Sequence, residues 1–341
     1  MNPYVPRSSK AVGGFTLIEI LVSVTILGLI MVGVTQMMNS AISAATGGYK
    51  HMDADTQARM VLDRMAYDIS KITKRSDIDY YFNKNATSAG TTPGNDQMAF
   101  FCESGGYYPS SLSSSAQQSN VSLVGYMIAP TLNGTVNTSS SSAYPGLVRL
   151  SKGLAWSGAN ASYPGMVFNA LPTNITNNTI TSTWPLVGNG TDPDYQVIGD
   201  QVFRLEYTFL VQPPPTAPAP SASSPTTTLG GFSDSPWYAP DSTPNGLKDV
   251  TAIVVSIAVL DAKSRANVSS TALQTAASNL PDDNISAMTS GAASVEANLP
   301  LSLWKSNLNT AMANGTYLGL PKAAASQIRF YQRFCYLNHL Q

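Results

Sequence analysis

The sequence has little charge and few of the side chains that most often carry chemistry. Of its 341 residues, 11% are charged, the formal net charge is −1, and only two are histidines and two cysteines. This balance argues against a basic surface for nucleic acid and against an acidic tail. The histidines, His51 and His339, lie near opposite ends of the chain without further metal ligands at matching spacing. No Gly-x-Ser-x-Gly motif follows a clear strand. We therefore predict that the protein is not an enzyme and has no catalytic residue, metal site or cofactor.

Two acidic clusters are the remaining candidates for a cation site. Asp192, Asp194 and Asp200 form the first, and residues 282–284, Asp-Asp-Asn, form the second. Neither follows the spaced ligand loop with its closing glutamate that calcium-binding loops use. We predict solvated turns at both clusters, with calcium binding as the less favoured alternative.

One long apolar run, residues 15–38, contrasts with this polar composition, and Glu19 is its only charge. About 20 helical residues cross a hydrocarbon core, so the run predicts a transmembrane helix. A charged side chain at the centre of such a helix costs on the order of 3 kcal/mol, and an acid kept there usually has a partner or a task. The simpler alternative is that Glu19, near the end of the run, only reaches the lipid headgroups.

The residues before the apolar run indicate its orientation. Residues 1–14 include Arg7 and Lys10 and no acid, which by the positive-inside rule keeps this end in the cytoplasm. A secretory signal peptide would have an apolar region of about 7–15 residues followed by small residues at its cleavage site. Here the apolar run is longer and the small pair Gly13-Gly14 precedes it. Cleavage after Gly14 would therefore leave the helix in the mature protein.

The run Gly-Phe-Thr-Leu-Ile-Glu, residues 14–19, resembles the type IV pilin-like family, whose precursors are cut after a glycine. The resemblance implies that a prepilin peptidase removes residues 1–14 and methylates the new amine of Phe15. It further implies that Glu19 pairs with the Phe15 amine of a neighbouring subunit when the helices assemble into a filament. Burying either charge alone costs free energy, and pairing the two charges reduces this cost. Removing one of them leaves the other buried without a partner.

The helical pattern continues past the membrane run as a spine extension over residues 39–80. Apolar residues recur at three- and four-residue spacing up to about residue 77. Arg64 and Asp68 are four residues apart on the predicted solvent face, where such a pair adds a few tenths of a kcal/mol. The pair Gly47-Gly48 predicts an interruption of the helix.

The remaining residues, 81–341, are enough for one large domain or two small ones. Apolar or alternating runs predict its strands, over residues 97–102, 121–128, 146–150, 200–211 and 250–260. The run 200–211 alternates like a half-buried strand, whereas 250–260 is continuous and fits a central strand covered on both faces. Helices are predicted over residues 285–297 and 301–313, where they can cover one face of a sheet. Residues 324–338 favour a final strand over a short helix.

The family resemblance implies a helical spine packed against an antiparallel sheet, and the element order agrees with it. We therefore predict an α+β fold, in which a long N-terminal transmembrane and amphipathic helix packs on an antiparallel β-sheet domain with long polar loops. A Pro/Ser/Thr-rich stretch, residues 212–236, predicts a solvated insertion in a hairpin. The order of alternating strand, loop with Trp237 and apolar strand resembles the minor pseudopilins of the J type. Residues 329–338, together with the N-terminal motif, resemble the Verru_Chthon cassette protein C group.

The two cysteines, Cys102 and Cys335, would lie in an oxidising compartment if the domain is exported, and a disulfide can persist there. Such a bond would tie the first strand region to the C-terminus and stabilise the fold by about 4–5 kcal/mol in the chain-entropy model. Two separate buried thiols are an equally favoured alternative.

Two functional hypotheses follow. The favoured one is a minor pilin or pseudopilin, a subunit of a type IV pilus-like or type II secretion-like filament, whose partners are the prepilin peptidase and other pilin-like subunits. It would be a single-pass protein of the bacterial inner membrane, with a cytoplasmic N-terminus, a periplasmic or extracellular domain and no nucleic-acid partner. The alternative is a membrane-anchored binding or enzymatic module that uses a pilin-like export signal, for which Glu19 would be dispensable.

Overall fold

The computed structural model describes residues 14, 16–74, 78, 80–86, 94–106, 120–138, 142–153, 194–212, 231–233, 236, 247–284 and 295–337. Secondary-structure elements are numbered along these residues. The chain divides into two compact units, with the boundary between Tyr49 and Lys50.

The first unit contains the apolar part of helix α1, which covers Leu17–Ser70 as a whole. An 18-residue window of this helix has a mean hydropathy of 2.6 and none of it is buried within the protein, so the helix is long and apolar enough to cross a membrane. The predicted interruption at Gly47-Gly48 is wrong, because both glycines lie within the continuous helix. Glycine weakens a helix by about 1 kcal/mol but keeps its backbone donor, so the hydrogen-bond ladder survives.

In the second unit, the last turns of α1 supply one side of the core. The buried residues recur at three- and four-residue spacing, and they are Ala54, Ala58, Val61, Leu62, Met65, Asp68 and Ile69. The helix ends at Ser70, earlier than the predicted residue 77. The reason is that the chain joins a strand here: Ile72 forms a β-bridge with Cys102, and the Thr73 N–H donates to the Phe101 carbonyl at 2.9 Å.

Six strands form the first sheet, and all of their pairings are antiparallel. They are β1 Tyr81–Ala86, β2 Asn95–Cys102, β3 Ser122–Leu132, β4 Thr135–Val136, β5 Tyr144–Gly153 and β6 Gln196–Gly199. Their order is β1-β2-β3-β5-β6, with β4 beside β3. The two-residue turn between β3 and β4 is Asn133-Gly134, with φ of +51° and +77°. Positive φ at both positions matches the type I′ hairpin turn, which favours Asn-Gly.

Four strands form the second, also antiparallel sheet, in the order β10-β9-β7-β8. They are β7 Val202–Val211, β8 Phe232–Ser233, β9 Val250–Val259 and β10 Arg329–Tyr336. The prediction that the run 250–260 is a central strand is confirmed, because β9 lies between β7 and β10. The final strand is confirmed as β10. Strands β7 and β9 pair as a hairpin, as predicted for the strands on either side of the insertion. The predicted solvated insertion is wrong at Phe232–Ser233, because these residues pair with β7 as strand β8 and Ser233 is buried. Residues 213–230, 234 and 235 of the insertion lie outside the described residues.

The prediction that β7 is half-buried is wrong, since both of its faces are covered. Leu205, Tyr207 and Phe209 join the core that contains α1, whereas Phe203 joins a second core. A shift in the β7–β9 register between Val202 and Arg204 explains the change of face. A bulge adds one unpaired residue and breaks the period-two alternation on which the prediction depended.

The second core lies between this sheet and a set of helices that cover it, which confirms the predicted covering of one sheet face. The helices are α2 Ala262–Arg265, α3 Ser270–Asn279, α4 Pro300–Asn314 and α5 Lys322–Ala325, with short 3-10 turns at Val295–Asn298 and Tyr317–Gly319. Helix α4 confirms the prediction for 301–313, and Trp304 in its second turn is fully buried. Most of the predicted helix over 285–297 lies outside the described residues. The α+β class with antiparallel sheets is confirmed.

Candidate processing and assembly segment

Gly14 lies in non-helical chain just before α1, and the helix begins at Leu17. It is exposed, and a side chain built on it would meet no atom within 4 Å. Phe15, the predicted methylation site, lies outside the described residues. A bond beside an exposed, non-helical glycine is open to a protease, because extended chain is what proteolytic sites accept.

Thr16 caps the start of the helix, a role that was not predicted. The Glu19 N–H donates to the Thr16 carbonyl at 3.0 Å and to the Thr16 Oγ1 at 3.4 Å. The spacing Thr-x-x-Glu is that of a capping box, of which this is the threonine half. Residues 16–19, which are part of the pilin-like run, thus also mark the start of a helix. The Thr-x-x-Glu spacing alone is enough to predict this helix start.

Glu19 lies in the first turn of α1 and is its only acidic residue there. The side chains around it are apolar and exposed, with 83% of Leu17, 69% of Ile18 and 55% of Leu21 accessible. Within the part of the chain that is described, the Glu19 carboxylate makes no ion pair. A carboxylate on an exposed, apolar helix surface is open to a partner from another molecule.

The comparison with known families supports this segment as a processing signal. Residues 9–35 match the prokaryotic N-terminal methylation motif. The match covers Gly14, Phe15 and Glu19, and it extends over most of the apolar run. No match among curated proteins was found for the chain. The protein therefore carries a type IV pilin-like signal for cleavage by a prepilin peptidase, on a helix suited to membrane anchoring.

A buried charge network joins the end of α1 to the first sheet. Asp68 is fully buried, and its Oδ2 accepts from the Tyr126 hydroxyl of β3 at 2.5 Å and from the Arg149 Nε of β5 at 2.7 Å. Arg64 Nε lies 3.5 Å from the same oxygen. Burial, followed by the Asp68 charge, raises the pKa of Tyr126 well above its usual value, so the phenol keeps its proton and donates. The predicted solvent-face location of Asp68 is wrong, because the turn that carries it packs under the sheet.

Further polar contacts join α1 to the second sheet and to the loops beside it. Three of them run along β10, from alternate residues of the strand to one side of the helix: Arg329 to His51, Tyr331 to Asp55, and Arg333 to Asp63. Three more reach other elements: Lys50 to Ser264, Asp53 to Gln201 and Gln57 to the Ile198 carbonyl. The helix is therefore held by both sheets. Of the predicted special residues, His339 and Trp237 lie outside the described residues.

The two cysteines are free, buried thiols, which is the second of the two alternatives that the sequence left open. Cys102 on β2 lies 3.0 Å from the Ser104 hydroxyl. Burial raises the pKa of Cys102, and it raises the pKa of Cys335 on β10 to about 11. A thiol with a raised pKa is a poor nucleophile, because the thiolate is the reactive form.

The acidic clusters form ion pairs. In the first cluster, Asp194 pairs with Lys152 at 3.1 Å and Asp200 with Arg265 at 3.3 Å, while Asp192 lies outside the described residues. No set of three or more His, Cys, Asp or Glu side chains in the described ranges is arranged to hold a metal ion.

The prediction of a solvated turn is wrong for the second cluster. Asp282 lies 2.6 Å from the Arg204 Nη2, and Asp283 lies 2.8 Å from the Lys84 Nζ. The side chain of Asp283 is fully buried. Both cations come from strands, β7 for Arg204 and β1 for Lys84. Sequence reasoning missed these pairs because their members are far apart in the chain.

We expect Gly94→Ala to destabilise the second unit more than Gly134→Ala. The two glycines have φ of +81° and +77°, so each alanine pays a similar left-handed strain of about 1–2 kcal/mol. A Cβ at position 94 would also lie 2.9 Å from the Arg204 Nη1, whereas one at 134 meets nothing within 4 Å. Arg204 cannot move away without lengthening its ion pairs. Urea unfolding of the full chain in detergent, monitored by tryptophan fluorescence, measures the loss in free energy of unfolding for both variants. Equal losses would contradict the close packing at Gly94.

Proposed function

We propose that the protein is a minor pilin or pseudopilin, a subunit of a type IV pilus-like or type II secretion-like filament. A prepilin peptidase cleaves it after Gly14 and methylates the amine of Phe15, and the mature subunit assembles with other pilin-like subunits through α1. The observation that carries this proposal is the match of residues 9–35 to the N-terminal methylation motif. The exposed Gly14 before the helix and the exposed Glu19 in its first turn support it.

The chemistry of assembly depends on the cleavage. Removal of residues 1–14 creates a new cationic amine at Phe15, four residues from Glu19. Burying an amine and a carboxylate as a pair between apolar helices costs far less free energy than burying either charge alone. Glu19 of one subunit and the Phe15 amine of its neighbour can therefore align successive helices, and the uncleaved precursor lacks this amine.

The proposed location follows from the same segment. The leader has Arg7 and Lys10 and no acid, which supports a cytoplasmic N-terminus by the positive-inside rule. The domain formed by the two sheets would then lie in the periplasm or outside the cell. We propose that this domain has a role in recognition rather than catalysis. We also propose that the protein occupies a single tip or initiating position in a filament rather than the repeated positions of its shaft.

Mass spectrometry of the native membrane complex tests the proposal. After mild cross-linking, the expected N-terminal peptide begins with N-methylated Phe15, and the cross-linked partners include other subunits with a pilin-like N-terminus. Cells that lack the prepilin peptidase are the control, in which the protein should keep residues 1–14. A mature chain that begins at Met1, or that has lost α1 altogether, would rule the proposal out.

A further inference from the structure

The two strands that flank β9 in the second sheet differ at their outer edges. Strand β9 pairs with β7 on one side and with β10 on the other. In an antiparallel pair, the N–H and C=O groups of alternate residues point towards the neighbouring strand, and those of the residues between them point away. Strands β7 and β10 therefore each carry a row of backbone groups that face away from β9.

The outer edge of β7 is closed by other parts of the protein. The N–H groups of Leu205 and Tyr207 donate to the side chains of Asn95 at 2.8 Å and Asp96 at 3.0 Å, at the start of β2. Strand β8 pairs with the next stretch of this edge. Side chains of the first sheet and a short strand thus occupy the edge of β7, which prevents its pairing with another chain.

The outer edge of β10 is not closed in this way. Strand β10 pairs with β9 at each residue of Arg329–Tyr336 without a shift in register, and the Leu337 N–H donates to the Thr251 carbonyl at 2.9 Å. This last bond fixes which residues of β10 point towards β9. The residues whose backbone groups point away are Phe330, Gln332, Phe334 and Tyr336. In the part of the chain that the structure describes, none of these outward groups has a hydrogen-bond partner.

The side chains of β10 leave its outer edge accessible. Its two charged residues, Arg329 and Arg333, contact α1 on one face of the sheet. On the other face, Phe334 is 39% and Tyr336 64% exposed. The strand also contains neither proline nor lysine, which often protect an edge. An exposed aromatic residue beside an open edge can pack on the side chains of an added strand, so this edge favours pairing.

We propose that the outer edge of β10 is a docking site for an extended strand of a different pilin-like subunit, which joins the second sheet as its next strand. The inference rests on the proposed function, in which the protein assembles with other subunits. An extended backbone repeats its donors and acceptors at the same two-residue spacing as this edge, and strand addition to an open edge is a common mode of recognition.

The charge of β10 favours a different subunit over a second copy of this chain. The strand has two arginines and no acid, so two copies side by side would bring like charges together. A neutral or acidic strand avoids this repulsion. The proposed single position of the protein in a filament also leaves no second copy beside it.

Proline at position 332 tests the inference, because it removes one outward N–H and its ring obstructs an added strand. An edge strand tolerates proline where the N–H faces away from the ladder, so Gln332→Pro should stay folded in detergent, with a urea midpoint close to that of the wild type. Its co-purification with the native complex should fall by about tenfold or more, because at least one backbone hydrogen bond to the partner is lost.

Gln332→Ala is the matched control for this variant. Both substitutions remove the side chain that accepts from the Ser256 hydroxyl at 3.5 Å, but alanine keeps the outward N–H. We expect Gln332→Ala to co-purify with the complex like the wild type. Equal co-purification of the two variants would overturn the inference.

Hydrogen–deuterium exchange of the wild-type protein provides a second test that needs no variant to fold. The outward amides of β10 should exchange quickly in the full chain in detergent and become protected in the native complex. Unchanged exchange in the complex, or protection that another copy of this chain provides, would contradict the proposed docking site. A wild-type protein that co-purifies with no other pilin-like subunit would instead overturn the proposed function, and the inference with it.

Discussion

Replacing Asp68 with alanine is expected to lower the free energy of unfolding of the second unit by about 3–5 kcal/mol. Asp68 is fully buried and accepts from Tyr126 and Arg149, two side chains of the first sheet. Without the carboxylate, the guanidinium of Arg149, whose side chain is 10% exposed, has lost its 2.7 Å anionic partner in a nonpolar core. A stranded buried charge is the main source of the loss. Urea unfolding of the full chain, monitored by the fluorescence of its tryptophans, measures it.

Two further variants separate the charge effect from simple truncation. Asp63→Ala removes a carboxylate from the same helix, but the Asp63 and Arg333 side chains are 57% and 41% exposed, so the loss should be below about 1 kcal/mol. The double variant Asp68→Ala with Arg149→Met removes both charges and should recover part of the stability, because a buried apolar pair is often as stable as an ion pair. If the single and double variants lose the same free energy, the contribution of Arg149 is contradicted.

The features that the sequence predicts well are those encoded by neighbouring residues. The signal at residues 14–19 is linear, and the apolar run that follows is recognisable from composition alone. Strands β2, β3, β5, β7 and β9 were located because their apolar runs are long and their flanks are polar. Helix α4 was located because Pro300 favours the first position of a helix.

The predictions that are wrong depend on contacts between distant residues. Asp68 has a polar helical neighbour in Arg64, which suggests a solvent face, yet its main partners are 58 and 81 residues away. Asp283 follows a proline and an aspartate, a sequence typical of a turn, but Lys84 neutralises it from 199 residues away. Phe203 changes face because of a bulge in β7. No local pattern contains this information, since it arises only when the two sheets and the helix pack together.

The same distinction explains why the candidate assembly segment could be predicted, whereas the ion pairs of Arg204 with Asp282 and of Lys84 with Asp283 could not. A processing signal is contained in a linear segment of the chain, so neighbouring residues are enough to recognise it. These ion pairs form only in the folded domain, where residues from β1, β7 and the segment after α3 meet. The sequence has few charged residues, and several of them form ion pairs that stabilise the domain instead of lying free on its surface.

The substitution Glu19→Val is expected to abolish incorporation of the protein into a filament complex, while membrane insertion and removal of residues 1–14 continue. Valine makes the apolar run more uniform, so insertion should not suffer. The Phe15 amine of a neighbouring subunit would lose its carboxylate partner in the apolar packing between helices. A stranded buried charge costs about 3–5 kcal/mol, which corresponds to a loss of more than about 100-fold in assembly.

Thr35→Val is the matched control for this variant. It also removes a polar side chain from the exposed surface of α1, but Thr35 carries no charge and its hydroxyl already bonds to the Met31 carbonyl at 2.8 Å. We expect it to be cleaved and incorporated like the wild type. Co-purification of each variant with the native complex, together with the mass of its N-terminal peptide, separates assembly from processing. Normal incorporation of Glu19→Val would show that the domain is only anchored by α1, because an anchor needs a hydrophobic helix and assembly by charge pairing needs the carboxylate.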